Sequence, residues 1–399
     1  MVPFAPVMSR LTPAEKKSAI AIAFMVALRM YGLFLILPVF SVFATDVPGS
    51  TPVLIGLAMG VYGLTQAFLQ IPMGMLSDVW GRKRVLALGL SLFIGGSVMA
   101  AMATDIYWII AGRAIQGMGA IASTGLALVA DVSRPEQRAK LMAIIGSSIG
   151  LAFMLAFITG PILATQFGLS GLFWITAILA VGAMVVLFTV VEEPAKLKQK
   201  SYPLSDMLQS VKRAELLFID VGVFMLHASM TALFLVLPLT LTESFNWNVE
   251  QHWQLYLPVM VLSLGIMVPL IIWQEKRQLH QPLMCWALTL LGVSLLLLNG
   301  MTSHLWWLAV GLWLYFGLFN YLEASMPSLL SRLVDEKYRG AAMGVFASSE
   351  FLGAFVGGLL GGWVMGFGQQ WVLVVVAIPL ILTGVMAWYV LHRQKLATS

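Results

Sequence analysis

Charged residues and cysteine are scarce in this sequence of 399 residues. Lys, Arg, Asp and Glu make up only 10% of it, whereas about 25% is usual in soluble proteins. Hydrophobic residues make up 60%, so the composition excludes an ordinary soluble domain and indicates a membrane protein. The one cysteine, Cys285, excludes an intrachain disulfide and a cysteine-based metal cluster. The sequence also contains neither an HExxH motif nor a P-loop, which argues against a membrane enzyme.

The lysines and arginines fall on one side of the predicted membrane. When twelve apolar spans are drawn, every one of the 23 except Arg29 and Arg113 lies at a chain end, in an alternate loop or at the end of a span that adjoins such a loop. Short loops rich in Lys and Arg stay in the cytoplasm when helices insert, so we predict twelve crossings and two cytoplasmic termini. These loops account for the net charge of +5, and we expect no nucleic-acid partner. The predicted spans are 18–44, 52–77, 84–103, 106–131, 138–165, 170–192, 214–242, 251–274, 280–300, 303–334, 339–366 and 369–391.

The two halves of the sequence resemble each other. Aligning Arg138 with Arg339 also aligns Met142 with Met343, Leu151 with Leu352 and, after one gap, Gly168 with Gly368. We therefore predict an all-α membrane protein with two parallel six-helix bundles, 1–192 and 214–399, joined by a charged cytoplasmic linker at 193–213. Parallel repeats of this kind place a substrate site near the midplane between the halves. Chance similarity between apolar helices is the alternative.

The loop after the second span contains the sharpest motif. Gly74 and Gly81 permit a close helix approach and a tight turn. Asp78 lies near the C-terminal end of a helix, where the helix dipole disfavours a negative charge, so it needs a cation or a neighbouring helix N-terminus as a partner. Arg82, four residues later, can supply the cation. A contact of this kind that forms in one conformation and breaks in another would act as a gate, whereas the alternative is a basic loop with an incidental acid.

Two more motifs lie in the fourth and fifth spans. Arg113 begins the run Arg-Ala-Ile-Gln-Gly-Met-Gly-Ala inside the fourth span. An arginine at the centre of a span costs about 2.5–3.5 kcal/mol on insertion scales, so we expect it to face a wet cavity or a partner. Gln116 follows it on the same helical face. The fifth span carries the pair Gly160-Pro161.

These runs resemble motifs of a known family. The segment 74–83 is similar to the cytoplasmic signature of the major facilitator superfamily, G-x-L-(small)-D-x-x-G-R-K. The segment 113–120 is similar to that superfamily's R-x-x-Q-G-x-G-A motif, and Gly160-Pro161 to the core of its antiporter motif. Val79 stands where the first motif often has arginine. The antiporter motif is partial, because positions that often hold glycine are Ala156, Ala164 and Thr165.

The strongest overall resemblance is to the YajR-type drug/proton antiporter group, and it covers nearly the whole transmembrane chain. It is carried by the segments 28–30, 62–67, 323–329 and 357–363. Members of that group can carry an additional soluble C-terminal domain. This sequence stops at Ser399, soon after the last predicted span, so the expectation is a member without that domain.

The resemblance implies the major facilitator fold and a rocker-switch carrier in a bacterial inner membrane. It places Asp78, Arg82 and Asp131 in a cytoplasmic latch, with Lys83 in the adjoining basic loop. It also gives Arg113 a role in proton coupling. We expect a monomer without cofactor or metal, whose partners are a small-molecule substrate, protons and the lipid bilayer.

Five further ionisable residues lie inside predicted spans: Arg29, Asp220, His227, Glu323 and Glu350. Such residues often mark proton relays. Glu323 lies in the tenth span, the counterpart of the fourth, and is either a proton carrier or a structural partner of an arginine. His227 is either a proton carrier or a packed histidine. Asp220 is close to the cytoplasmic interface, which is the alternative explanation for its charge.

Aromatic and amide side chains are candidates for the substrate cavity, and we single out Tyr31, Gln116, Phe316 and Asn320. Aromatic residues in membrane helices also serve packing and the interface. The preferred function is proton-coupled efflux of small amphipathic or drug-like compounds. A carrier of the same fold for another solute, by nutrient symport or by sugar or metabolite efflux, is the second possibility, and a channel or a membrane enzyme is the third.

Overall fold

The computed structural model describes residues 12–132, 134, 137–191, 213–300, 304–335 and 338–398. This part of the chain is nearly all helical. Its thirteen α-helices are α1 (Pro13–Ile36), α2 (Phe40–Ala44), α3 (Pro52–Trp80), α4 (Arg82–Ala101), α5 (Ile106–Met118), α6 (Ala122–Val132), α7 (Arg138–Thr189), α8 (Ala214–Glu243), α9 (Trp253–Arg277), α10 (His280–Gly300), α11 (Leu305–Leu333), α12 (Arg339–Met365) and α13 (Gln369–Thr398). Apart from its residue 213, the predicted linker lies outside the described residues.

Ten helices of the described part are long and apolar enough to cross a membrane. Lipid offers no hydrogen-bond partners to the backbone, so an apolar chain of this length satisfies its peptide groups within helices. Most observed boundaries lie within three residues of the predicted ones. The exceptions fall at the first, fourth, sixth and twelfth predicted spans. Those at the first, fourth and sixth have a local cause, whereas α13 continues to Thr398, past the predicted end at 391.

Proline and glycine account for two of these exceptions. The first predicted span, 18–44, is not continuous, because α1 ends at Ile36 and α2 begins only after Pro38, which has no N–H to donate. The fourth, 106–131, is also wrong as a single helix, since α5 ends before Gly119 and α6 starts at Ala122. At Gly119 the backbone leaves the helical region (ψ 43°), and this frees its carbonyl for a side chain.

The fifth and sixth predicted spans form one helical segment, α7, with a sharp break at Gly168. This glycine has φ 67° and ψ −176°, a conformation that favours glycine over other residues. Its aligned counterpart, Gly368, also has positive φ (140°) and separates α12 from α13. The aligned arginines Arg138 and Arg339 each begin a helix. The sequence repeat therefore corresponds to repeated local structure.

Helices α1 and α3–α7 pack together as one bundle and α8–α13 as another, with α2 packed on α8. The principal contact between the bundles joins α3 to α12. Glycines allow this close approach: a Cβ added at Gly56 would collide with the backbone of Gly358 and Gly362. On its other face, α12 packs against α8, where Gly357 meets the backbone of Ala228. Helix α12 thus packs on one face against α3 of the other bundle and on its opposite face against α8 of its own bundle.

Candidate functional site in the transmembrane bundle

The motif at 74–83 forms a compact ion-pair network, hereafter the Arg82 network, at one end of the N-terminal bundle. The Arg82 side chain is buried and lies 2.6 Å from Asp78 Oδ1 and 2.8 Å from Asp131 Oδ2. Arg82 also donates to the Ser77 hydroxyl, which in turn donates to the Gly74 carbonyl at 2.6 Å. The guanidinium therefore joins the end of α3 to the end of α6. Asp78 forms an ion pair with Arg82, four residues later in the chain, as their spacing suggested.

The two neighbours of Arg82 in sequence have separate structural roles. Gly81 connects α3 to α4 with φ 102°, a conformation that a side chain would strain. Lys83 extends to the end of α7, where its ammonium donates to the Val191 carbonyl at 2.7 Å. The basic loop thus ties α4 to both α6 and α7.

Arg113 is buried in the N-terminal bundle and hydrogen-bonded on three sides. It donates to the Ala58 and Met59 carbonyls at 3.3 Å each and to Gln116 Oε1 at 3.1 Å. Its guanidinium carbon lies 5.1 Å from the centre of the Tyr62 ring. Gln116 continues the network by donating to the Ser97 hydroxyl at 2.7 Å. The observed hydrogen-bond partners of Arg113 are therefore two backbone carbonyls and a side-chain amide. Among the described residues no carboxylate pairs with it.

Arg29 approaches the same tyrosine from α1. Its Nη2 donates to the Tyr62 hydroxyl at 2.9 Å, to Gln66 Oε1 at 3.4 Å and to the Gly119 carbonyl at 3.2 Å. The last bond satisfies the carbonyl that the break between α5 and α6 frees. Its guanidinium also lies 5.2 Å from the Phe93 ring centre. Two buried arginines thus share Tyr62, one at its hydroxyl and one over its face.

A second cluster lies in the C-terminal bundle and consists of His227, Glu323 and Glu350, hereafter the carboxylate cluster. His227 Nε2 is 3.4 Å from Glu350 Oε1 and 3.7 Å from Glu323 Oε2, and the facing atoms of all three lie within 4.8 Å of one another. The other ring nitrogen, Nδ1, is 3.2 Å from the Val223 carbonyl. A proton on Nδ1 donates there and leaves Nε2 directed at the carboxylates.

The two acids of the cluster are partly exposed. The Glu323 side chain is 44% exposed and that of Glu350 25%, although both belong to apolar spans. Their helices, α11 and α12, converge with α8, and α12 is the helix that contacts the N-terminal bundle. Among the described residues no arginine pairs with Glu323, although such a partner was one of the two alternatives for this residue, and the histidine of α8 lies beside it instead. Three helices therefore bring two acids and one histidine together at a partly exposed site.

The remaining predicted positions are distributed more widely. Asp220 is buried in α8, and its Oδ1 has no hydrogen-bond partner in the structure. The Tyr31 hydroxyl is 2.6 Å from the Thr159 hydroxyl, and Asn320 donates to Ser263 at 3.0 Å. Phe316 is buried in an aromatic core, not on an open surface.

The fifth-span motif serves helix packing. A Cβ at Gly160 would lie 2.6 Å from the Leu35 carbonyl oxygen, so this glycine lets α7 approach α1 closely. Pro161, the next residue, lies within α7 without ending it. The pair therefore stands where the first and fifth predicted spans meet.

No sequence motif predicts the aromatic contact that joins the two bundles at the end opposite the Arg82 network. The Phe157 ring lies 4.7 Å from Phe234 and 5.7 Å from Tyr256, and all three side chains are buried. Ser41 of α2 donates to the Phe234 carbonyl at 3.3 Å. These contacts close one end of the space between the bundles. Only spatial proximity identifies them, because their sequence spacing follows no motif.

Comparison with known proteins agrees with this arrangement. Residues 22–277 and 219–398 both match the family model of the Major Facilitator Superfamily. The chain belongs to the major facilitator superfamily. The inner membrane transport protein YajR of Escherichia coli (strain K12) is 38% identical over 360 residues, which span 90% of this chain and 79% of YajR. The chain is thus a YajR-type member of the superfamily and a multi-pass membrane protein, not an enzyme.

More distant relatives share the same fold. The multidrug resistance protein MdtH of Yersinia enterocolitica is 27% identical over 366 residues, covering 89% of this chain and 88% of MdtH. A bacterial homologue of the human lysosomal transporter Spinster, solved in an inward-facing and occupied conformation, superposes with a TM-score of 0.77. That match covers 95% of this chain and 97% of the other at 12% identity. Superfamily membership therefore rests on sequence and fold together.

Proposed function

We propose that this major facilitator protein is a proton-coupled antiporter that exports small amphipathic or drug-like compounds by alternating access. The observation that carries the proposal is the carboxylate cluster, in which two acids and a histidine meet within apolar spans. The more distant similarity to the multidrug resistance protein MdtH supports the choice of drug efflux over other transport modes.

Charge balance gives the cluster its coupling role. Two carboxylates within reach of one imidazole need a positive charge, because like charges at this separation repel each other. Either a proton or the cationic group of a substrate can supply that charge. Binding of one therefore disfavours the other, and this competition is the physical basis of exchange. A proton on His227 Nε2 lies between the two acids.

The two arginines of the N-terminal bundle have a different task in this proposal. Arg29 and Arg113 are positively charged at all accessible pH values, so they do not carry the exchanged proton. In this proposal their fixed positive charge disfavours a second proton at the cluster. This agrees with the part in proton coupling that the family resemblance implies for Arg113.

The proposed topology has twelve crossings with both termini in the cytoplasm, in halves 1–192 and 214–399. The break at Gly168 supports two crossings within α7, because its 52 residues would span about 78 Å as one straight helix. Helices α5 and α6 together are long enough for one further crossing. The Arg82 network lies at the cytoplasmic end in this topology, and the contact of Phe157 with Phe234 lies at the outer end.

Reporter fusions test the topology. A fusion after Lys200 and another after Lys395 are expected to report the cytoplasm, because both positions follow clusters of basic residues. A fusion after Asp46 is expected to report the outside. A periplasmic signal after Lys200 would contradict the twelve-crossing topology.

Transport by purified protein in vesicles tests the mode of transport. The vesicles contain a pH dye and are screened with amphipathic dyes, beginning with ethidium, and then with neutral sugars and nucleosides. Antiport predicts that substrate and protons move in opposite directions and that an imposed pH gradient drives accumulation. Movement in the same direction would establish symport, the second possibility, and passage that neither saturates nor responds to the gradient would establish a channel.

A further inference from the structure

An apolar groove on the outside of the C-terminal bundle is separate from the carboxylate cluster. It lies among α9, α10 and α11, encloses about 310 Å³, and is lined by Leu270, Trp273, Leu283, Trp286, Leu290 and Leu318, among others. This volume is at the lower end of the range for small-molecule sites, about 300–1,000 Å³. About half of each tryptophan side chain is exposed. In a bilayer this surface faces lipid.

The polar groups beside the groove are already bonded to each other. Tyr321, which also lines it, donates its hydroxyl to the Gln274 side chain. Glu275 accepts two hydrogen bonds from Arg332, at 2.8 and 3.0 Å. Among the described residues, the polar side chains beside the groove are therefore already hydrogen-bonded. Arg332 neutralises the negative charge of Glu275 at the mouth of the groove.

Two cations remain at that mouth. Lys276 and Arg277 are exposed, and within the described part of the chain no carboxylate oxygen lies within 4 Å of either. They follow Trp273 by three and four residues, so they lie one helical turn from the groove on the same side of α9. That turn belongs to the end of the molecule that carries the Arg82 network and the other basic loops. The groove thus has an apolar interior and a basic mouth at a membrane interface.

An ordinary phospholipid has matching chemistry, with hydrocarbon below an anionic phosphate. We propose that this groove binds an anionic phospholipid, with one acyl chain along Trp273 and Trp286 and its headgroup on Lys276 and Arg277. Basic pockets between membrane helices on the cytoplasmic side bind anionic headgroups in this way. Leu318 belongs to α11, the helix that carries Asn320 and Glu323, so the bound lipid contacts a helix of the transport site.

Native mass spectrometry of the purified full chain tests headgroup selectivity. Dioleoylphosphatidylglycerol and dioleoylphosphatidylcholine are titrated into the same detergent solution. The wild type is expected to retain one phosphatidylglycerol in preference to phosphatidylcholine. Each basic residue near an anionic headgroup contributes enough that the double variant Lys276→Gln/Arg277→Gln should lose roughly thirtyfold in phosphatidylglycerol affinity.

Matched variants separate this site from general surface charge and from misfolding. Lys140→Gln/Arg393→Gln removes two other exposed cations and should retain the wild-type preference. Leu290→Trp fills the groove from its exposed side and should weaken both lipids, with an unchanged melting temperature. Equal binding of the two lipids by the wild type, or the same loss in both charge variants, would overturn the proposal. Neither outcome depends on the mode of transport.

Discussion

The two halves of the molecule hold their buried charges in opposite ways. In the N-terminal bundle, Arg29 and Arg113 direct their donors at backbone carbonyls, amide oxygens and Tyr62. In the C-terminal bundle, Glu323 and Glu350 face His227 and are partly open to water. Guanidinium groups do not titrate in proteins, whereas carboxylates and imidazoles do. The comparison teaches that one half supplies a fixed positive field and the other the groups that can gain and lose protons.

The structural repeat makes this difference informative. The tenth predicted span is the counterpart of the fourth, and the residues of interest on them are Glu323 and Arg113. These two counterpart spans thus carry residues of opposite charge. A proton or a cationic group bound at the acids would experience both. The following predictions change one side of this comparison at a time, beginning with the largest expected effect.

Removing an acid from the cluster should have the largest effect. We expect Glu350→Gln to reduce proton-driven transport to the background of empty vesicles, because the remaining acid no longer needs a proton to balance a second carboxylate. Transport into vesicles under an imposed pH gradient measures this. The matched control is Glu250→Gln, which changes an exposed acid just before the start of α9. This variant should transport as the wild type does. Gradient-driven transport by Glu350→Gln at the wild-type rate would remove the cluster from the coupling mechanism.

Breaking the Arg82 network should have the next largest effect. Arg82→Ala leaves Asp78 and the nearly buried Asp131 without their cation, and removal of one partner from a buried ion pair costs about 3–5 kcal/mol. We expect transport to fall at least about tenfold, and Asp78→Asn to behave similarly, with both proteins still inserted. The rates are compared at matched expression. Asp46→Asn changes an exposed acid at the opposite end and serves as the control. Wild-type rates in both network variants would refute a gating role.

Changing the fixed field should affect stability more than coupling. Arg29→Met removes the donors to Tyr62, Gln66 and the Gly119 carbonyl, and each buried group left unsatisfied costs about 1–3 kcal/mol. We therefore expect a melting temperature in detergent several degrees lower, with proton-driven transport reduced only a few-fold. Arg393→Met, at an exposed position, should melt as the wild type does. Complete loss of coupling in Arg29→Met at an unchanged melting temperature would contradict the assignment of proton exchange to the C-terminal half alone.

Local sequence signals predicted most of the helices, because lipid leaves an apolar chain few alternatives. The starts at Arg138 and Arg339 and the turns at Gly168 and Gly368 followed from the repeat. The breaks after Ile36 and at Gly119 were missed, since hydropathy continues across them and only backbone chemistry reveals them. The Gly119 break also depends on a distant residue, because its free carbonyl is paired with a side chain of α1.

The sequence singled out individual candidate residues of the site, but it did not predict how they are arranged in space. The pairing of Asp78 with Arg82 could be read from their spacing within one turn of chain. The carboxylate cluster could not, because its members come from α8, α11 and α12, and their meeting depends on how those helices pack. For the same reason the sequence could not show that His227 lies beside Glu323. Intramembrane charge identifies candidates, whereas tertiary packing decides which of them meet.

Proton release on substrate binding tests the central claim most directly. Purified protein in weakly buffered detergent is mixed with an amphipathic dye that the wild type transports, while a pH indicator and a binding isotherm are recorded together. The account predicts release of on the order of one proton per bound substrate by the wild type. It also predicts binding without release by Glu323→Gln and Glu350→Gln. If both variants release protons on binding as the wild type does, the cluster is structural and the exchanged proton is held elsewhere.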